Sequence, residues 1–287
     1  MIKLCAFSDE YSSNLDEQIK CLKLNNIKYM EIRGINGKNI LDISIDEAIN
    51  INEKLKENDI YVWSIGSPIG KVDINTDINL YYEKVHHICK LANIFNCKNI
   101  RMFSFFNAYD KKDLVFKYLN EFVKIANKYN VVLNHENEKD IYGDNIERVL
   151  EIYENVLGIK LVYDPANFIQ CGVNSNESLS TLFKLTNYFH IKDAKLDGSV
   201  VPAGFGCADI NRLISMVNND VCNVSLIGFF QYSGIFSYPI IIPSTEPTVA
   251  PLQSVSKPVS TAIQMDFPKS PFPYSSEATT IIAFDMV

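Results

Sequence analysis

The 287-residue sequence predicts an α/β fold: a (β/α)8 barrel with an irregular eighth repeat, followed by a C-terminal tail rich in Pro, Ser and Thr. Two observations carry this prediction. From Met1 to about Asp220, short β-branched and aromatic runs alternate with longer stretches whose apolar residues recur every three or four positions, the pattern of repeated βα units. The number of repeats approaches eight and no Gly-x-Gly-x-x-Gly follows the first strand, which favours a closed barrel over an open doubly wound sheet. A hydrophobic fraction of 47% supplies a core of the required size.

In chain order, the strand candidates are Lys3–Ser8, Lys28–Arg33, Tyr61–Gly66, Asn99–Phe105, Val131–Glu136, Lys160–Tyr163 and Tyr188–Lys192. Between them, Asn14 with Glu17, Ser44 with Glu47 and Asp144 with Glu147 have the spacing of N-terminal caps, in which a short polar side chain accepts from a free backbone N–H. The helices expected are Leu15–Asn25, Ile45–Lys56, Ile78–Phe95, Leu114–Tyr129 and Ile146–Tyr153, each with an apolar stripe.

The composition changes after about Asn223. Eight of the eleven prolines fall between Pro239 and Pro273, where charges are few; proline breaks helices and gives no ladder donor, so this stretch is not an ordinary βα unit. The division expected is a barrel over 1–242 and an atypical tail over 243–287, poorly ordered beyond about Pro247. Val224–Phe230 and Ile235–Ile242 are the two candidates for the closing strand, and Ile235–Ile242 is preferred. A natural tail wrapping the barrel and a frameshifted end both remain open.

Charge and cysteine usage exclude several classes. With 27 basic against 34 acidic residues the net charge is -7, opposite to the basic footprint of nucleic-acid binding, so no nucleic-acid partner is expected. The apolar runs are too short for a membrane span, and the N-terminus reaches Asp9 and Glu10 before a signal-peptide core forms, so a cytoplasmic protein is expected. Seven scattered cysteines without a Cys-x-x-Cys pair read as reduced thiols.

Barrel chemistry sits at the C-terminal ends of strands. Glu136, Asp164 and His190 end three successive strand candidates, and two carboxylates with one imidazole suit a divalent cation such as Mn, Mg, Co or Zn. Capping of strands or pairing with Lys192, Arg33 or Arg101 is the plainer alternative. Glu31 and Arg33 are placed as a substrate-hydroxyl clamp or a structural ion pair. Lys192 and Asp193 are placed to hold and orient a hydroxyl or phosphate, or as a solvated rim pair. Gly204-Phe205-Gly206 has the look of a weak phosphate loop, and His135 is expected to face away from the metal candidates.

At these residues the chain resembles the sugar phosphate isomerase/epimerase family, the xylose-isomerase-like barrels that include hydroxypyruvate isomerase, ketose 3-epimerases and inosose dehydratase. The matching segments include Ala6-Phe7-Ser8-Asp9-Glu10, Glu31-Ile32-Arg33-Gly34, His135-Glu136-Asn137-Glu138, Asp164-Pro165-Ala166-Asn167-Phe168, His190-Ile191-Lys192-Asp193-Ala194 and Val201-Pro202-Ala203-Gly204-Phe205-Gly206. The resemblance implies that Glu136, Asp164 and His190 match three of four metal ligands, with Glu136 also a catalytic base. The substrate-binding candidates at the mouth are Glu31, Arg33, Asn167, Lys192 and Asp193. The fourth ligand in the family is a glutamate on the last strand, also an acid/base group. Here Tyr238-Pro239 stands where it is expected, and Glu246 in Ser244-Thr245-Glu246-Pro247 is the displaced candidate for both roles.

The activity implied is isomerisation or epimerisation of a small sugar, sugar phosphate or 2-keto polyol through an enediolate. An inosose-type dehydratase on the same barrel is the enzymatic rival, and a barrel impaired by loss of the fourth ligand is the third reading. A small carbohydrate is the partner implied, no membrane partner is expected, and a homo-oligomer is left open. An apurinic-site endonuclease of the same fold would need a His-rich three-metal cluster, which a chain with four histidines supplies poorly.

Overall fold

A computed structural model describes residues 3–219, 225–231 and 279–285. Eight parallel strands follow one another around the sheet: β1 (Cys5–Ala6), β2 (Tyr29–Ile32), β3 (Tyr61–Ile65), β4 (Asn99–Met102), β5 (Val132–Glu136), β6 (Lys160–Tyr163), β7 (Thr186–Ile191) and β8 (Ser225–Gln231). A ninth strand, β9 (Thr279–Asp285), pairs antiparallel with β8 and lies close to β1. The sheet curls on itself, since Tyr188 on β7 meets Ser64 on β3 through their hydroxyls at 3.1 Å in a buried interior.

Between the strands run α1 (Leu15–Leu24), α2 (Ile45–Glu57), α3 (Ile78–Ile94), α4 (Lys112–Lys128), α5 (Ile146–Asn155), α6 (Pro165–Gln170), α7 (Ser175–Leu182) and α8 (Ile210–Asn219). Two of the expected caps are present: Asn14 accepts from the N–H groups of Asp16 and Glu17, and Ser44 with Glu47 forms a reciprocal capping box. The third is displaced by one residue. Asn145, in extended conformation, caps α5 by accepting from Arg148, while the Asp144 carboxylate pairs with the Arg148 guanidinium and the Tyr109 hydroxyl. The sequence pattern also passed over α6, α7 and α8, short helices between closely spaced elements.

The apolar stripes of α1 to α4 pack on the outside of the strands, where Tyr81, Phe105 and Phe122 form an aromatic layer with ring centroids about 5.8–5.9 Å apart. A second cluster, including Tyr163, Phe168, Phe183 and Phe189, joins α6 and α7 to β6 and β7. Gly70 has φ +86, and a Cβ there would lie 2.0 Å from the Phe103 carbonyl oxygen; only glycine lets the loop after β3 press onto the end of β4.

The closing strand differs from the preferred expectation. Ser225–Gln231, from the other candidate run, pairs with β7, with Ile227 beside His190 in register. Its sequence has the unbroken β-forming character that Pro239 denies its rival. Thr279–Asp285, inside the stretch expected to be loosely packed, supplies β9. Ile235–Ile242, the Pro-rich segment and Glu246 lie outside the described residues. Among the described residues no helix is long and apolar enough to cross a membrane. Cys5, Cys21, Cys89, Cys97, Cys171 and Cys207 are free thiols.

Candidate metal centre

Alternation along β5 and β7 turns Glu136 and His190 into the barrel, and the chain leaves β6 at Asp164 directly into α6. The His190 Nδ1 is 2.9 Å from Glu136 Oε1 and 3.6 Å from Asp164 Oδ2. One ligand atom from each of the three residues falls within 4.8 Å of the others, and all three side chains are buried. The three sequence-predicted ligands therefore converge.

Asp164 divides its carboxylate. Oδ1 accepts from the Asn167 backbone N–H at 2.9 Å and caps α6, where Pro165 takes the position that needs no donor. Oδ2 is buried with no hydrogen-bond partner and lies 3.8 Å from Lys192 Nζ. Asn137 fixes the backbone on both sides of Asp164, donating from Nδ2 to its carbonyl and accepting from its N–H at Oδ1, both at 2.8 Å. Glu136 Oε2 is likewise buried without a hydrogen bond, with Arg101 Nη1 at 3.3 Å.

Electrostatics keep the cluster charged in spite of burial. Desolvation works against ionised Glu136, but His190 and then Arg101 outweigh it and hold the carboxyl below its ordinary range. Burial opposes a charged His190, yet Glu136, Asp164 and Glu31 raise it well above its usual value. Burial also opposes the Lys192 ammonium, and Asp164, Glu138, Glu136 and Glu10 more than offset this. Buried carboxylate oxygens without hydrogen bonds cost several kcal/mol each unless a cation meets them. Two carboxylates and an imidazole aimed at one point are also the donor set of a divalent ion with open positions, so these residues fit such an ion.

The residues expected around substrate divide into two groups. Lys192 Nζ donates to Asn167 Oδ1 at 2.8 Å, and Asn167 Nδ2 donates to the Asn137 carbonyl at 3.0 Å and reaches Glu136 Oε1 at 3.4 Å. Both residues border the cluster. Glu31 and Arg33 do not pair with each other: β2 ends at Ile32, so Arg33 lies beyond the strand that holds Glu31, and its guanidinium is taken by other acids. Arg33 binds Asp9 at 2.8 Å and Glu10 at 3.0 Å over the Phe7 ring, whereas Glu31 is fully buried near His190 and Arg101.

Asp193 is neither a rim charge nor open to substrate. Its carboxylate accepts from the backbone N–H groups of Ala194, Gly204, Gly206 and Ala208, all at 2.9 Å. Those bonds consume the Gly204 and Gly206 donors that a phosphate loop would need. His135 turns away from the cluster as expected, with its Nε2 paired to the Ser104 hydroxyl at 2.9 Å; burial pushes its pKa down to about 3.

Arg101 is the site residue whose role the sequence reading passed over, naming it only as a pairing partner. Its guanidinium lies between the rings of Phe7 and Phe103, 5.1 Å from each centroid, donates from Nη2 to the Gly66 carbonyl and reaches Glu136. The signal was an arginine in the otherwise apolar and amide strand Asn99–Met102, since a charge inside a buried strand needs a partner.

Two carboxylates and a histidine gathered at the strand ends of a (β/α)8 barrel form a candidate metal site. The sequence matches the xylose isomerase-like TIM barrel family over residues 22–229, and the chain belongs to that family. The fold is similar to the probable 3-DHS dehydratase AsbF of Bacillus anthracis, at TM-score 0.63 and 16% identity over 76% of this chain and 88% of that one. It is similar to a D-tagatose 3-epimerase-like protein, at TM-score 0.60 and 16% identity over 74% and 86% of the two chains. It is also similar to the IOLI protein solved with a zinc atom, at TM-score 0.59 and 18% identity over 72% and 80%. No curated protein matches the sequence.

Proposed function

We propose that the chain is a divalent-metal-dependent isomerase or epimerase of a small sugar, sugar phosphate or 2-keto polyol, acting through an enediolate. The observation that carries this reading is the convergence of Glu136, Asp164 and His190 at the barrel mouth, with unbonded carboxylate oxygens facing one point. Glu136, Asp164 and His190 would hold the ion, which when bound supplies Lewis-acid polarisation of a substrate carbonyl and its neighbouring hydroxyl.

The chain's own groups account for the proton traffic. Glu136, kept ionised by His190 and Arg101, is the base that takes the α-proton. Arg101, fixed by two aromatic rings and the Gly66 carbonyl, presents a positive charge beside that base without reorganisation. Lys192 holds a substrate hydroxyl or phosphate next to Asn167. Return of the proton to the opposite face or adjacent carbon requires a second acid, and Glu246 is the candidate. A dehydratase is the second reading. It is supported by the likeness to a probable 3-DHS dehydratase, and a dehydration would use the same proposed base, Glu136.

Metal analysis of the purified protein, followed by an NMR screen for solvent deuterium entering a panel of ketoses, tests the proposal. Bound divalent ion and deuterium at the carbon next to the carbonyl are expected, and loss of water from the product would select the dehydratase. Asp164→Asn retains an amide able to cap α6 but removes the charge facing the ion, so exchange should fall at least about a hundredfold with the fold intact. A wild-type protein that takes up no ion and catalyses no exchange would reject both enzymatic readings.

A further inference from the structure

Glu31 is the carboxylate at the centre of the barrel that the proposed chemistry leaves without a task. It stands on β2, across the interior from β7, and is fully buried. Neither oxygen accepts a hydrogen bond in the structure. The groups brought to it are His190 Nε2, 3.5 Å from Oε2, and Arg101 Nε, 3.9 Å from Oε1. The opposite ring nitrogen of the same histidine, Nδ1, is the one turned to Glu136 and Asp164.

The two ring nitrogens therefore have different neighbours on opposite sides. A neutral imidazole carries one proton, and a nitrogen that gives its lone pair to a cation cannot also carry it. If Nδ1 is to be a ligand, the proton must reside on Nε2, and the acceptor there is Glu31. A purely structural ion pair with Arg101 explains the fit less well. Its closest approach is the longer of the two, and the guanidinium spends its Nη1 on Glu136 and its Nη2 on Gly66.

We propose that Glu31 is a positioning residue: by accepting from the Nε2–H of His190 it fixes the tautomer and ring orientation that present Nδ1 to a divalent cation. This inference rests on the metal-site reading above. Carboxylate partners of this kind are typically worth about 10–100-fold in metal affinity.

Calorimetric titration of the metal-free protein with Zn²⁺ tests it, with Glu31→Gln and Glu31→Leu beside wild type. Gln keeps an uncharged acceptor of the same length and should bind about tenfold more weakly. Leu offers no acceptor and should approach a hundredfold loss. A ¹⁵N-histidine spectrum of the zinc-loaded proteins reads the cause directly: wild type should show Nε2–H with Nδ1 metallated, and Glu31→Leu a mixture or the reverse. Circular dichroism keeps misfolding apart from weakened binding, and the Gln variant carries the test if the Leu variant does not fold. Wild-type affinity and an unchanged spectrum in the Gln variant would overturn the role of Glu31. Failure of the wild type itself to bind zinc would instead overturn the metal-site reading, and the inference would fall with it.

Discussion

Removing the Asp193 carboxylate should cost stability and leave the metal centre's ion affinity nearly untouched. In Asp193→Ala four backbone donors lose their acceptor at once. Those of Ala194 and Ala208 are on buried residues, and an unsatisfied buried N–H costs about 1–3 kcal/mol. The donors of Gly204 and Gly206 lie on the outer part of the loop and can turn to water at smaller cost. The loss should therefore be about 3–5 kcal/mol, a large part of the stability of an ordinary domain. Asp193→Asn, which keeps one acceptor oxygen, should lose about half as much. Urea unfolding followed by circular dichroism gives the stability, and zinc calorimetry at low denaturant gives the affinity of the folded fraction. If Asp193→Ala unfolds at the wild-type midpoint while abolishing deuterium exchange into substrate, the carboxylate acts on substrate and the loop-anchor argument is wrong.

Two further predictions concern groups away from the cluster. Burial raises the Glu10 carboxyl from 4.5 to about 8 against the pull of Arg33, so the folded state holds a proton that the unfolded chain has lost. Stability should then fall as pH rises between about 5 and 9, by at most about 5 kcal/mol at about 1.4 kcal/mol per pH unit, and Glu10→Gln should flatten the profile; an unchanged slope in the variant's chemical unfolding would refute this. Ser104→Ala removes the hydroxyl that accepts from Gly143 N–H at 2.8 Å and pairs with His135, so the unfolding free energy should drop by about 2–4 kcal/mol, and a drop under about 0.5 would show that another group takes over.

The parts of the site legible in the sequence were those set by strand periodicity. Glu136 and His190 sit where alternation directs them inward, and Asp164 follows its strand immediately, so their meeting needed only the barrel topology. The residues that changed role are governed by contacts distant in sequence. Asp193 looked like a rim charge because its four partners lie in a loop whose folding back depends on glycine: at Gly206, a Cβ would fall 2.2 Å from Asp193 Oδ1. Arg33 and Glu31 were read as neighbours on one strand, but the acids Asp9 and Glu10 that claim Arg33 arrive from the end of β1. The closing strand was misjudged because two apolar runs of similar length competed, and only the pairing with β7 distinguishes them.

On the metal-site reading proposed above, the divided carboxylate of Asp164 would tie ion occupancy to the breathing of a helix. One oxygen holds the first turn of α6 and the other faces the cluster, so an ion that immobilises the side chain also steadies the cap. Fraying of that turn needs the Asp164 oxygen to leave the Asn167 N–H, a motion a coordinated carboxylate resists. Amide exchange at Asn167 and along Ala166–Gln170 should thus slow when zinc is added, whereas the amides of α2, capped by Ser44 far along the chain, should keep their rates. The helix would then report on the ion through its own protection, with no substrate needed to observe it.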